Sequence, residues 1–225
     1  MADDKDIIAF LSGLVTEQRL RRFDETLSER TRYISVCLED IFQSQNASAV
    51  LRSCECLGIQ DVHIIENYNP YIINPMVVKG SDRWLSLYRY NSSGNNSIEA
   101  VTQLKASGYR VVATSLQTGS TDLEAFDVSR GKTVIIFGNE HKGVSQDLLE
   151  QADECIKISM CGFTQSFNIS VSAGIILYHL VQKIKKSAVD WQLTSAERNK
   201  IFAEWLTKSV KNPQPLLNRL AFDRK

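Results

Sequence analysis

Three short segments of the 225-residue sequence bring amides, hydroxyls, a carboxylate and an arginine to places where strands give way to helices. In Asn46-Ala-Ser-Ala-Val-Leu-Arg52, an asparagine and an arginine lie six residues apart on what reads as one helix, so both can face one cleft. Asn46 can cap that helix, and Arg52 can pair with a carboxylate or a phosphate. In Phe137-Gly-Asn-Glu-His-Lys-Gly-Val-Ser145, a strand runs into a glycine-bounded turn that holds Glu140. Gly138 and Gly143 have the spacing of a phosphate-binding loop. Val144, however, stands where that loop needs lysine, and Glu140 would repel a phosphate. No G-x-G-x-x-G follows any strand, so the dinucleotide fingerprint is missing too. This turn should hold something other than pyrophosphate, or else be a plain strand-to-helix connection. In the third segment, Ile158 to Gly174, Ser166 is a natural N-cap, whereas Asn168, Ser170 and Ser172 suit a helix interior poorly. Ser172, Ala173 and Gly174 permit close backbone contact. That helix start is built either to fit a ligand closely or to pack tightly on a sheet.

The elements that position these segments follow from periodicity. Residues 33–38, 61–65, 85–90, 109–114, 132–137 and 154–159 read as strands. Helices are expected over 5–22, 46–58, 98–107, 145–151, 167–186 and 195–208, with Asn46 or Ser48 near the N-cap of the second. Strands alternate with helices, and apolar runs such as Val134-Ile-Ile-Phe137 suit strands covered on both faces. The pattern predicts an α/β fold with a parallel sheet flanked by helices. Ligands in such sheets bind beyond the carboxyl ends of the strands, where all three segments fall. The organisation expected is a helical extension over residues 1–30, a main domain over 31–187 and a basic helical extension over 188–225.

A composition of 43% hydrophobic and 23% charged residues is that of a soluble globular protein, and no apolar run is long enough to span a bilayer. The acidic start, residues 1–6, is no signal peptide. Five cysteines without framework spacing argue for reduced thiols and a cytoplasmic protein. Cys54 and Cys56, with only His63, His141 and His179 to help, do not make a zinc site, so no metal is expected. The formal net charge is zero, but its distribution is uneven. Lys183, Lys185, Lys186, Arg198, Lys200, Lys208, Lys211, Arg219, Arg224 and Lys225 make the tail basic, and Arg19, Arg21 and Arg22 cluster near the start. Such patches either hold phosphates or are solvated helical surfaces.

Taken together and in this order, the three segments resemble the SPOUT class of RNA methyltransferases, and within it the tRNA guanosine-18 2′-O-methyltransferase (TrmH/SpoU) family. The family's first motif is an Asn with an Arg six residues on, matched by Asn46 and Arg52. The second is a strand followed by G-x-E-x-x-G, matched by Gly138, Glu140 and Gly143. The third is S-L-N-V-S, matched by Ser166-Phe-Asn-Ile-Ser170. The likeness runs from about Arg32 to Ile184. It departs at Gln43-Ser-Gln45, where the family often has Lys-Pro-His, and at Phe167, where it usually has Leu.

The resemblance implies an S-adenosyl-L-methionine-dependent transfer of a methyl group to a ribose 2′-hydroxyl of RNA, most of all guanosine 18 of tRNA. It also implies a C-terminal deep trefoil knot, which general folding rules would have rejected, and a homodimer whose partner chain completes each active site. Thr114, Leu116, Gly138, Ile158, Met160 and Phe167 are implied to line the cofactor pocket. Arg52 is implied to be the activating residue, with Asn46, Glu140, Ser166 and Asn168 fixing it and the ribose. A free guanidinium is a very poor base, so Arg52 is expected to act together with a neighbouring phosphate. Arg19, Arg21, Arg22, Lys183, Lys185 and Lys186 become candidates for tRNA backbone contacts. The alternatives are ribosomal RNA or another tRNA position as substrate, or a non-catalytic RNA-binding module. About 45 residues before Asn46, too few for the N-terminal domain usual in ribosomal relatives, favour tRNA.

Overall fold

Three strands, β1 (Ile34–Glu39), the one over Asp61–Ile65 and, later in the chain, the one over Thr133–Phe137, are buried along their whole length. Such strands can only lie in the middle of a sheet covered on both faces. The computed structural model describes residues 3–92 and 94–222, with side chains as far as residue 218. The side chain of Arg219, and Arg224 and Lys225, lie outside the described residues.

Among the described residues the sheet has seven strands: β1, β2 (Asp61–Ile65), β3 (Ser86–Tyr90), β4 (Arg110–Thr114), β5 (Thr121–Asp122), β6 (Thr133–Phe137) and β7 (Glu154–Lys157). Every pairing is parallel, in the order β3-β2-β1-β6-β4-β7-β5. The expected parallel α/β sheet is therefore present. Alternate residues of the central strands feed two cores. Ile34, Val36, Leu38, Ile135 and Phe137 face one side, and Cys37, Val134 and Ile136 the other.

The helices are α1 (Asp4–Ser12), α2 (Glu17–Ser28), α3 (Ser44–Cys56), α4 (Pro75–Val78), α5 (Asn96–Ala106), α6 (Gln146–Gln151), α7 (Ile169–Lys186), α8 (Ser195–Ser209) and α9 (Pro213–Phe222). Helices α3 and α7 cover the first face through Val50, Leu51, Cys54, Ile176, Leu177 and Leu180. Helices α5 and α6 cover the second through Ala100, Val101, Leu104 and Leu148. Each fully buried aliphatic side chain contributes about 1.5–3 kcal/mol. No helix among the described residues is long and apolar enough to cross a membrane.

The chain divides into two units, Thr31–Trp191 carrying the sheet, and Met1–Arg30 with Gln192–Lys225. In the second of these, Phe23 packs edge-on against Trp205 and Phe202, and the Arg30 guanidinium lies 5.3 Å from the Trp205 ring centre. Thr194 and Glu197 form a capping box at the start of α8.

Three helix boundaries differ from expectation. The helix expected over 5–22 is two helices, because the chain turns at Gly13 and Thr16 caps a new helix by accepting from Arg19 N–H at 3.3 Å. Helix α3 starts at Ser44, so Asn46 sits inside its first turn and is not its N-cap. Helix α7 starts at Ile169, capped by Asn168 and not by Ser166, which stays in the preceding loop.

Candidate active site

Strands β1, β6, β4 and β7 lie side by side, so their carboxyl-end loops line up along one edge of the sheet. Glu140 gathers them. Its Oε2 accepts from the Phe42 N–H at 2.9 Å, and its Oε1 accepts from the Gln43 N–H at 3.1 Å and from Asn46 Nδ2 at 2.8 Å. Burial raises the Glu140 pKa. The Asn46 amide and the backbone donors outweigh that and hold it below the ordinary glutamate value, so Glu140 is a carboxylate at neutral pH. Asn46 is buried and passes the order on: its Oδ1 accepts from Asn168 Nδ2 at 3.1 Å. Asn168 Oδ1 in turn accepts from the Ser170 N–H at 2.8 Å and the Ser170 hydroxyl at 2.6 Å. Thus Asn46, Glu140 and Asn168, from three segments far apart in sequence, form one hydrogen-bonded chain.

The Glu140 turn is held tightly. Asn139 and Gly143 exchange backbone hydrogen bonds at 2.9 and 2.8 Å. A Cβ on Gly138 would lie 2.1 Å from the Gly143 carbonyl carbon, so only glycine fits there. Asp40, at φ 49°, ties the loop after β2 to the Glu140 turn. Its Oδ1 accepts from the N–H groups of Asn67, Tyr68 and Asn69 at 2.8, 2.8 and 3.2 Å, and its carbonyl accepts from Asn139 Nδ2 at 2.8 Å.

Beside this chain lies a cavity of about 700 Å³. Thr114, Leu116, Gly138, Ile158, Met160 and Phe167 all line it, as do Glu140, Ser166 and Asn168. Its size is that of a small-molecule site, and apolar side chains alternate in it with loop backbone. Arg52 stands apart. It is exposed on α3, about 120° around the helix from buried Asn46, and it is not part of the cavity wall. Residues to which the motifs assign no role also belong to the site: Asp40 and Asn139 as loop ties, and Phe42 and Gln43 through their backbone.

The SpoU rRNA Methylase family profile matches residues 33–178, the span that holds this whole constellation. The chain belongs to the SpoU methylase family. Over 211 residues it is 42% identical to the tRNA (guanosine(18)-2′-O)-methyltransferase of Borreliella burgdorferi, covering 94% of each chain. Over 195 residues it is 34% identical to the enzyme of the same name from Thermus thermophilus, covering 86% of this chain and 98% of that one. Among solved structures, a TrmH/SpoU tRNA-modifying enzyme from A. aeolicus superposes with a TM-score of 0.75 at 31% identity, covering 87% of this chain and 98% of the other.

The basic residues of this SpoU methylase fall on both units. Arg19, Arg21 and Arg22 are exposed on α2, Arg21 within 3.8 Å of Glu17. Lys185 and Lys186 are exposed on α7, Lys185 lying 5.2 Å from the Trp191 ring centre. Lys183 differs: its ammonium donates to the carbonyls of Glu124 and Phe126 at 2.9 and 2.7 Å, which makes it a brace within the fold.

Proposed function

We propose that this protein transfers a methyl group from S-adenosyl-L-methionine to the ribose 2′-hydroxyl of guanosine 18 in tRNA. The observation that carries this reading is the Asn46–Glu140–Asn168 chain at the rim of the cavity, in a sequence similar to tRNA (guanosine(18)-2′-O)-methyltransferases along nearly its whole length. The cavity fits the cofactor in size, and Leu116, Ile158, Met160 and Phe167 offer apolar walls for an adenine, with loop backbone to read its edge. Bound there, the cofactor supplies an electrophilic methyl on a sulfonium.

The rest of the work falls to the chain itself. Transfer of this kind depends mainly on placing the hydroxyl in line, so positioning carries much of the rate. Glu140, ionised at neutral pH, is an acceptor for fixed donors and holds Asn46. Asn46 and Asn168 orient the rim on which the ribose rests, with the Ser166 hydroxyl beside it. Arg52 takes a phosphate next to the reacting ribose, and that phosphate with the guanidinium relieves the hydroxyl of its proton. Because Arg52 lies off its own cavity wall, we place it at the site of a second subunit. A homodimer is favoured by the apolar stripe Val171, Ile175 and Tyr178 left exposed on α7 at helical spacing. The trefoil knot and a cytoplasmic location belong to the same reading.

Incubation with labelled S-adenosyl-L-methionine and total RNA, followed by mapping of the methylated nucleotide, tests it. A label at guanosine 18 of tRNA supports the proposal. A label confined to ribosomal RNA or to another tRNA position replaces the substrate, and no label on any RNA defeats it.

A further inference from the structure

Two aromatic rings stand at the mouth of the site with no part in the hydrogen-bonded chain. Phe42 is 62% exposed although its own N–H is held by the Glu140 carboxylate at 2.9 Å. His141, the residue after Glu140, lines the cavity and backs the Phe42 ring, with centroids 6.0 Å apart and planes at 59°. Its N–H is held by Asn139 Oδ1 at 2.9 Å, and Asn139 is fixed to Asp40 by a 2.8 Å bond. Both rings therefore ride on backbone anchored through one circuit of hydrogen bonds, Asp40 to Asn139 and Glu140 to Phe42. Leaving a phenyl ring mostly in water forgoes about 1.5–3 kcal/mol of burial. Ordering it at the same time lowers the entropy lost when a flat ligand arrives.

We infer that Phe42, backed by His141, is a stacking platform for the nucleobase of the nucleotide whose ribose is methylated. This rests on the function proposed above. A ribose held at the Glu140 rim carries its base only a bond away, within reach of the neighbouring ring. A base in a folded RNA loop can be splayed out of its stack as its ribose enters the site, and an aromatic face offsets part of the stacking lost. Lys142, on the same turn, is exposed and lines the cavity, and in this arrangement it takes the adjoining phosphate.

The test uses the full-length protein and a tRNA transcript carrying 2-aminopurine at nucleotide 18. Stacking on Phe42 quenches the 2-aminopurine fluorescence on binding. Phe42→Leu should abolish the quench and weaken binding roughly 5- to 150-fold, while Phe42→Trp should restore both. Cofactor affinity and thermal stability should stay at the parent values. A quench in Phe42→Leu equal to the parent's places the base elsewhere and overturns the inference while the methyltransferase reading stands. A change from dimer to monomer in Phe42→Leu, read by light scattering, assigns the ring to a subunit interface and also overturns it. If the parent binds no tRNA, the proposed function falls and takes the platform with it.

Discussion

The side-chain amide of Asn46 donates to the Glu140 carboxylate at 2.8 Å across 94 residues of chain. Because Glu140 also holds two backbone N–H groups, all three of these partners are donors. An amide at this position would present an NH2 group where only acceptors fit. Glu140→Gln should therefore cost about 1–3 kcal/mol of stability and lower the methyl-transfer rate by more than the melting shift explains. Single-turnover rates beside a urea titration separate the two effects. Unchanged rates would remove Glu140 from the positioning chain.

Arg52→Ala should reduce methyl transfer at least about a hundredfold, the loss typical of one charge-stabilising donor, while cofactor affinity stays at the parent value because the role proposed for Arg52 is on the RNA phosphate and not on the cofactor. Calorimetry with S-adenosyl-L-methionine and a methylation assay read the two quantities independently. Turnover at the parent rate would exclude Arg52 from the chemistry.

Gly138→Ala puts a methyl group against the backbone of Gly143 and Val144. Backbone cannot swing aside as a side chain can, so the Glu140 turn must open. The expected result is a loss of about 1–3 kcal/mol together with weaker cofactor binding. Normal affinity in a stable Gly138→Ala protein would show that the turn has slack.

His63 gives the fold an acid limit. Buried on β2, its ring is held at a pKa of about 4 against the usual 6.5, chiefly by burial. The unfolded chain takes up the proton first, so stability is full above pH 6.5 and falls as pH drops from 6.5 towards 4. Spread over that window, the loss is on the order of 3 kcal/mol. His63→Phe, which keeps the stacking on Tyr88, should flatten that part of the pH–stability curve. An unchanged slope would assign the acid sensitivity to other groups.

If the exposed arginines of α2 and the lysines ending α7 neutralise phosphates, tRNA affinity must fall steeply with salt. Replacing Arg19, Arg21 and Arg22 by Gln should lower the log–log salt slope by roughly one for each phosphate left without its arginine. Lys183→Gln should instead lower stability, because Lys183 braces Glu124 and Phe126. A salt slope unaffected by the triple substitution would make α2 a solvated surface.

The strands are readable because β6 carries the unbroken run Val134-Ile-Ile-Phe137, while β1 and β2 place Ile34, Val36 and Leu38, and Val62, Ile64 and Ile65, in short segments rich in β-branched and aliphatic residues. The break between α1 and α2 is hidden because Leu14 and Val15 continue the apolar rhythm of Ile7, Phe10 and Leu11 across it. Spacing brings Asn46, Glu140 and Asn168 to notice, but it does not give their roles. Asn46 has the look of a helix cap and is instead a bridge between two other side chains, while Asn168 takes over capping from Ser166. Asp40 leaves no trace in the pattern: it is one aspartate after a strand, and its worth lies in three N–H groups more than 25 residues downstream. Phe42 and His141 are silent for a similar reason, since what matters about them is exposure at one spot.

The circuit joining Asp40, Asn139, Glu140 and Asn168 bears on how the molecule acquires activity. Its members come from loops after β1, β6 and β7, and β6 must slot between β1 and β4 before any of them can meet. Contacts so distant along the chain form late and slowly. Helical signal should thus return early in refolding and turnover last, so the first product formed marks the closing of the sheet.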